Sequence, residues 1–280
     1  MATNSINVNS GSILALQNLN NSVNQLNTVQ NRISTGLAVS SAKDNGGLWG
    51  IAQNSRASVA ALDSVKQSLQ RAQSTVDVAV SAGQTISDLL NQIKSKALAG
   101  ADTSLDSTSR KALNTDVTAL IGQIQKIVAT ADFNGTNIIK TNGASIYALA
   151  NASGASKLTV QGLNLGIAGS TSTTGITFTA TASFTTATTA ATFLSLVNTS
   201  ISQVNASVAK LGTGSNALAT HLNFISNLQD SLTQGIGNLV DADVAKESAN
   251  LTALQTKQQL GIQALSIANS SKSALLGLFR

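Results

Sequence analysis

Apolar side chains recur along most of this chain at steps of three and four, the spacing of one face of an α-helix rather than the alternation of a strand. The first such stretch is a heptad of Leu16, Leu19, Val23, Leu26, Gln30, Ile33 and Leu37, with Gln30 its single polar member. The second runs from about Ala57 to Leu98 with Leu62, Val65, Leu69, Ala72, Val76, Ala79, Gly83, Ile86, Leu90, Ile93 and Ala97 in unbroken phase. At 1.5 Å per residue it predicts a helix on the order of 60 Å long. After a turn rich in Asp, Ser and Thr from Gly100 to Ser109, Leu113, Val117, Leu120, Ile124, Ile127 and Ala131 predict a third helix folding back antiparallel. Helical spacing returns near Ala191 and runs to about Leu239, with Leu218, Leu222, Ile225, Gln229, Leu232, Ile236 and Leu239 in phase.

The stretch from Asp243 to Arg280 carries more apolar surface than one neighbour can cover. Val244, Leu251, Leu254, Ile262, Leu265, Leu276 and Phe279 form one stripe, and Ala253, Leu260, Ala264 and Ile267 form a second on another face. Two stripes demand neighbours on at least two sides. The remaining surface is Gln, Asn, Ser and Thr.

Between the helices the grammar changes. Gly36, Gly46, Gly47 and Gly50, with the turn signal Asp44-Asn45-Gly46, mark Arg32 to Ala52 as a connector. Asn134-Gly135 ends the third helix. Short β-prone runs follow, Ile138 to Thr141, Leu158 to Val160 and Ile176 to Thr181, separated by Asn-Gly and Gly-Ser/Thr stretches that predict small hairpins. The fold class expected is mainly α, a long α-helical coiled-coil bundle with a small β-hairpin region at about 138–185. The domain division expected is residues 1–42 paired with 240–280, and a helical rod domain at 43–239.

Composition sharpens this picture. Of 280 residues only 3% are aromatic and 10% charged, and there is no proline to interrupt a helix. No cysteine is present, which excludes disulfides and thiolate metal sites. The net charge of +5 comes without a Lys/Arg cluster interleaved with aromatics, so nucleic acid is not an expected partner. No run is apolar enough to span a bilayer, and Met1 to Leu16 lacks the basic and apolar regions of a cleavable signal peptide. Ala2 to Asn31 and Gln258 to Ser271 are free of charge, so both ends can be buried without desolvating ions. The heptad flanks are Asn and Gln, so packing rather than ion pairing is expected to set register.

Candidate chemistry is thin. His221, the only histidine, stands beside Leu222 on a helix and lacks the partners of a general base. Asp241, Asp243 and Glu247 lack the glycine and alternating ligands of a calcium loop and read as a solvated helix start. Gly212-Thr213-Gly214 lacks the Lys-Ser/Thr pair and preceding strand of a phosphate loop and reads as flexibility between helical segments. Trp49 reads as a local packing anchor. No catalytic, cofactor or metal site is expected.

Three motifs carry a resemblance. Arg32-Ile33-Ser34-Thr35-Gly36-Leu37 followed by Ser41-Ala42-Lys43-Asp44 is similar to the N-terminal signature of bacterial flagellin. Phe133-Asn134-Gly135-Thr136 resembles that family's FNG turn, and Glu247 to Arg280, with Leu254-Gln255, Ala264-Leu265, Ala268-Asn269 and Leu275-Leu276, its C-terminal helix. The resemblance covers about two thirds of the chain and implies a short flagellin without large outer domains. It implies that the terminal helices pair as the innermost layer of a hollow extracellular filament used for motility. Their core contacts would come from Leu16, Leu19, Val23, Leu26, Ile33, Leu251, Leu254, Ile262, Leu265, Leu276 and Phe279. Partners implied are further copies, other flagellins, a flagellar export chaperone, and cap and hook-associated proteins, with export that leaves no cleaved signal.

Two features depart from the long family members. The middle is short, with only a Ser/Thr-rich hairpin region from Ser170 to Thr192, whose hydroxyls resemble the O-glycosylated surface of some flagellins or form a plain solvated loop. Leu89 to Leu98 aligns with the stretch recognised by a mammalian flagellin-sensing Toll-like receptor, where the family has two basic residues followed by Glu-Leu. The corresponding positions are Gln92, Lys94, Ser95 and Lys96, which lose the first cation and the acid, so weak receptor activation is expected.

Other readings of the same pattern are a hook–filament junction protein and a secreted coiled-coil adhesin or signalling ligand. High copy number in sheared filaments would favour flagellin, and a discrete oligomer the ligand. An embedded metalloprotease is argued against by the lone histidine and the short middle.

Overall fold

The computed structural model describes residues 9–167 and 175–277, with side chains to residue 270. The elements in order are α1 (Ser10–Thr35), α2 (Gly46–Gly100), α3 (Ser107–Thr130), β1 (Ile146–Leu149), β2 (Lys157–Val160), α4 (Ala187–Val240) and α5 (Val244–Gly277). The fold is mainly α with one small antiparallel hairpin, and it divides into two compact units. One comprises Met1–Ala57 with Ser231–Arg280, the other Ser58–Asp230.

In the first unit, Asn9 caps α1 by accepting the Ser12 N–H at 3.0 Å, and Gly36 at φ 71° terminates it in the left-handed conformation. The connector is shorter than the glycines suggest, because α2 already begins at Gly46. Asn45 Oδ1 accepts the Leu48 N–H at 3.1 Å, so the expected turn signal is a helix cap. Glycines in a first turn leave N–H groups that have no intrahelical partner anyway, and they break nothing. Within residues 36–45, the Asp44 carboxylate accepts from Ser40 and Ser41, each through N–H and hydroxyl. Those bonds, the Ser40 hydroxyl foremost, hold its carboxyl below the ordinary value of 3.8. Trp49 packs on a cluster of Val39, Ala52 and Val240, the local anchor expected of it.

In the second unit, α2 buries its heptad from Leu62 through Ala97. Arg110 closes the turn into α3. Buried itself, it donates to the carbonyls of Gly100 (2.8 Å), Asp102 (2.8 Å) and Leu105 (3.0 Å), satisfying an acceptor at the end of α2 and two in the turn that follows. Asp106 caps α3 through the N–H groups of Thr108 and Ser109. Its bonds with Ser109 lead in lowering its carboxyl below the usual range. α4 lies antiparallel to α2, joined by Ser87 to Asn205 (2.7 Å) and by Gln229 to Asp63 (2.6 Å). The buried side of α4 is Ala190, Phe193, Val197, Ser200, Val204, Ser207, Leu211, Leu218 and Ile225.

Gly212-Thr213-Gly214 is not a break between helical segments, because α4 continues through it. A Cβ at Gly214 would stand 3.0 Å from Val160, so the glycine admits β2 against the helix. β1 and β2 pair with Ile146 opposite Val160 and Leu149 opposite Lys157. Of the predicted runs only Leu158 to Val160 is a strand, and its partner Ile146–Leu149 was not expected. Ile138 to Thr141 bends because Asn137 Oδ1 accepts the N–H groups of Ile139 and Lys140, while Asn137 Nδ2 donates to Val128 O at 2.7 Å. Ile176 makes an isolated bridge to Ile167, not a strand. The expected hydroxyl-rich hairpin falls partly outside the described residues, at 170–174, and from Ala187 it is helix.

Two glycines of this unit predict opposite outcomes. A methyl at Gly162 would press on the carbonyl oxygen of Gly143, backbone against backbone, so Gly162→Ala is expected to destabilise by about 1–3 kcal/mol. Gly122 in α3 has nothing within 4 Å of a Cβ, so Gly122→Ala is expected to stabilise by up to about 1 kcal/mol through helix propensity. Urea unfolding curves of the two variants distinguish them; shifts of the same sign would contradict the packing described.

Candidate functional site

The surface that the sequence singles out lies within the first unit. α1 and α5 run antiparallel, with Asn9 Nδ2 donating to Ala268 O at 2.9 Å at one end and the Leu37–Asp241 bridge at the other. Ser12 reaches Asn269 at 2.7 Å, and Leu19 packs on Gly261, where a Cβ would stand 3.3 Å from its Cδ1. Beyond the bridge, Ala38 and Val39 donate to Val240 O, and Ala242 donates to Gly36 O. These bonds tie the exit of α1 to the entry of α5.

Asp243 caps α5 through the N–H groups of Ala245 and Lys246. Its neighbour Glu247 is not the solvated residue expected. It is buried, 3.2 Å from the guanidinium of Arg32, and also accepts from Asn250. Register in this seam is therefore not left to packing alone. A sequence signal existed, since Arg32 is the one charge in Ser10–Thr35 and Glu247 the one acid in Val244–Gly277.

The seam brings together Leu26, Val29 and Leu254, with Ile33 and Leu251 packed against them. Leu19, Val23 and Leu265 are half-buried. Two of the expected core residues do not reach the seam: Leu16 is 47% and Ile262 54% exposed. The side chain of Leu276, and Phe279 altogether, lie outside the described residues. The second stripe is not covered by α1, with Ala253, Leu260, Ala264 and Ile267 all exposed. Ile13 and Leu14, which the heptad does not contain, are exposed as well. Leu14, Leu260 and Ala264 line a shallow groove of about 410 Å³ floored by Ala15, Gly261 and Ala268.

Two large apolar side chains on a floor of small residues, with no charge in the lining, have the composition of a surface that a protein neighbour can cover. His221, in the second unit, donates from Nε2 to Ala150 O at 2.8 Å and so holds the loop after β1. Gln92, Lys94 and Ser95 are exposed on α2, and Lys96 is ion-paired to Asp116 at 2.7 Å.

The Arg32–Glu247 pair yields a stability test. Arg32 is 39% exposed, so the loss for Arg32→Glu is discounted to about 1–2 kcal/mol, most of it from leaving the Glu247 carboxylate facing a like charge. Thermal unfolding followed by circular dichroism should show this loss, and Arg32→Glu combined with Glu247→Arg should recover most of it. Additive losses in the double variant would remove the pair from the register argument.

A family model described as the bacterial flagellin N-terminal helical region matches residues 6–144, and one described as the C-terminal helical region matches residues 194–279. Over their full lengths the chain is 51% identical to flagellin FljO and 51% identical to flagellin FljK, both of Caulobacter vibrioides. It is 35% identical to a flagellin of Brucella melitensis, with 99% of each chain covered.

Proposed function

The chain belongs to the bacterial flagellin family, and we propose that it is the filament subunit in which α1 and α5 supply the innermost contacts. The observation that carries this reading is the apolar surface that the α1–α5 pair leaves open. Ile13, Leu14, Leu16, Val244, Leu260, Ile262 and Ile267 are each roughly half exposed or more. Covering the exposed part of each contributes on the order of 1 kcal/mol. Together they match the lower range of an association cost of roughly 4–15 kcal/mol, so assembly rests on several neighbours at once. Exposed residues on both flanks of the seam suit a head-to-tail contact that repeats along an open helix.

In this reading residues 1–42 and 240–280 form the inner layer and residues 43–239 the next. The core set from Leu16 to Ile33 and from Leu251 to Phe279 divides into seam and lattice contacts. Leu19, Val23, Leu26, Ile33, Leu251, Leu254 and Leu265 hold the pair together, while Leu16 and Ile262 reach other copies. Leu276 and Phe279 extend the same stripe. The filament lies outside the cell, and the chain meets an export chaperone, cap and hook-associated proteins on the way. It carries out no catalytic step and holds no cofactor.

Adding salt and short filament seeds to purified chain should give filaments of uniform diameter by electron microscopy with a rise in helicity. Chains cut back to residue 43 or ending at residue 239 should give none while retaining the helicity of α2, α3 and α4. A truncated chain that still polymerised would overturn the reading.

At the receptor stretch, Lys96 is committed to Asp116, and Gln92 and Ser95 stand where the family has a cation and an acid. We propose weak activation of the mammalian flagellin-sensing Toll-like receptor. A reporter-cell response equal to that of a strong agonist flagellin would refute it.

A further inference from the structure

Three Asn-Gly pairs occur in the chain, Asn45-Gly46, Asn134-Gly135 and Asn142-Gly143. We propose that Asn134 is a site of spontaneous deamidation and that the fold selects it over the other two. In this reaction the backbone nitrogen of the following residue attacks the side-chain amide carbon. The N–Cγ bond forms, the Cγ–Nδ2 bond breaks, and ammonia leaves with the proton that the backbone nitrogen gives up. Water then opens the succinimide at either carbonyl, leaving isoaspartate or aspartate. Only water and hydroxide are consumed, and a glycine after the asparagine offers no Cβ to obstruct ring closure.

The reaction needs a free side-chain amide, a free backbone N–H and room for a five-membered ring. Asn45 fails the first condition, because its Oδ1 holds the Leu48 N–H at 3.1 Å as the cap of α2. Asn142 fails the other two. The Gly143 N–H is given to Lys140 O at 2.9 Å, and a Cβ there would lie 2.8 Å from the carbonyl of Ile138.

Asn134 meets all three. Its side chain is exposed and, among the described residues, makes no hydrogen bond, the Gly135 N–H finds no acceptor there, and nothing lies within 4 Å of a Cβ at Gly135. The pair forms a tight turn with φ of 50° and 76°, closed by two bonds between Phe133 and Thr136, both 3.0 Å. Turning the Asn134 backbone to bring nitrogen and Cγ together opens this two-bond bridge and no larger ladder. Isoaspartate adds a backbone atom to a two-residue turn, so the bridge cannot close again in register. The new carboxylate stands on a groove of about 400 Å³ that Arg71 and Tyr147 also line.

The test is to age the full chain in mildly alkaline buffer, with and without urea, then digest it and quantify isoaspartate by methyltransferase labelling and mass spectrometry. In native buffer the peptide holding Asn134 should accumulate isoaspartate several-fold faster than those holding Asn45 and Asn142, and in urea the three rates should converge. Asn134→Gln should abolish the dominant product while leaving the other two rates in place. Asn45 or Asn142 keeping pace in the folded chain, a ranking unchanged by urea, or protection of Asn134 by its turn would each overturn the proposal.

Discussion

A helix can hide only the face that meets a neighbour, and the structure turns on how many apolar faces each helix carries. α2 carries one. From Leu62 to Ala97 its heptad side chains fall on a single stripe, and all of them are buried, while Val78 and Val80 outside the heptad are half-buried. α5 carries apolar residues on the side of Glu247 and Leu254, on one flank at Ile262, and on the other flank at Leu260 and Ala264, with Ile267 beyond them. Its one partner, α1, covers only the first of these. The difference between a helix that completes a core and one that offers a surface is thus already present in the angular spread of Leu and Ile.

The α1–α5 seam has to be specific despite a shortage of specifying features. Its contacts are small, as where Leu19 meets Gly261, and small side chains interlock weakly against a slide of one turn. Two devices resist that slide. At the closed end, Ala38, Val39 and Ala242 bond backbone to backbone with Val240 and Gly36, which fixes where α5 begins. One to two turns further along, Arg32 and Glu247 add a pairing that no shifted register reproduces, since neither helix offers a second charge of the needed sign nearby. A half-buried ion pair is a weak source of stability but a good source of register.

How far this was legible from the sequence depended on whether a residue's role was set by its own helix. The α2 heptad was readable because each position answers to one continuous period. Glycine was misread twice for the same reason. At Gly46 and Gly47 its place in a first turn makes it harmless, and at Gly214 the approach of Val160 makes it necessary; neither fact lies within the local pattern. The strand Ile146–Leu149 escaped because it is only four residues long and shows no clean alternation, running half-buried, exposed, buried, half-buried, while Ile138 to Thr141, which opens on two β-branched residues, is bent by Asn137. In the candidate site the stripes were legible, but which side met α1 was not. That choice is made by Leu26, Val29 and Leu254 together, at positions more than two hundred residues apart.

The composition of α1 and α5 resolves a conflict between staying in solution and being buried later. Charged residues would keep such faces soluble, but removing an ion from water costs far more than one contact returns. Apolar residues alone would aggregate without order. Asn, Gln, Ser and Thr lie between these limits, since they hydrate well and, once covered, can satisfy one another, as Ser12 does with Asn269 and Asn9 with the Ala268 carbonyl. Exposed Leu and Ile set among amides can therefore be covered by another copy at modest cost in desolvation. The absence of charge from α1 before Arg32 and from α5 between Gln258 and Ser271 is the condition that lets these surfaces face water in one state and protein in the next.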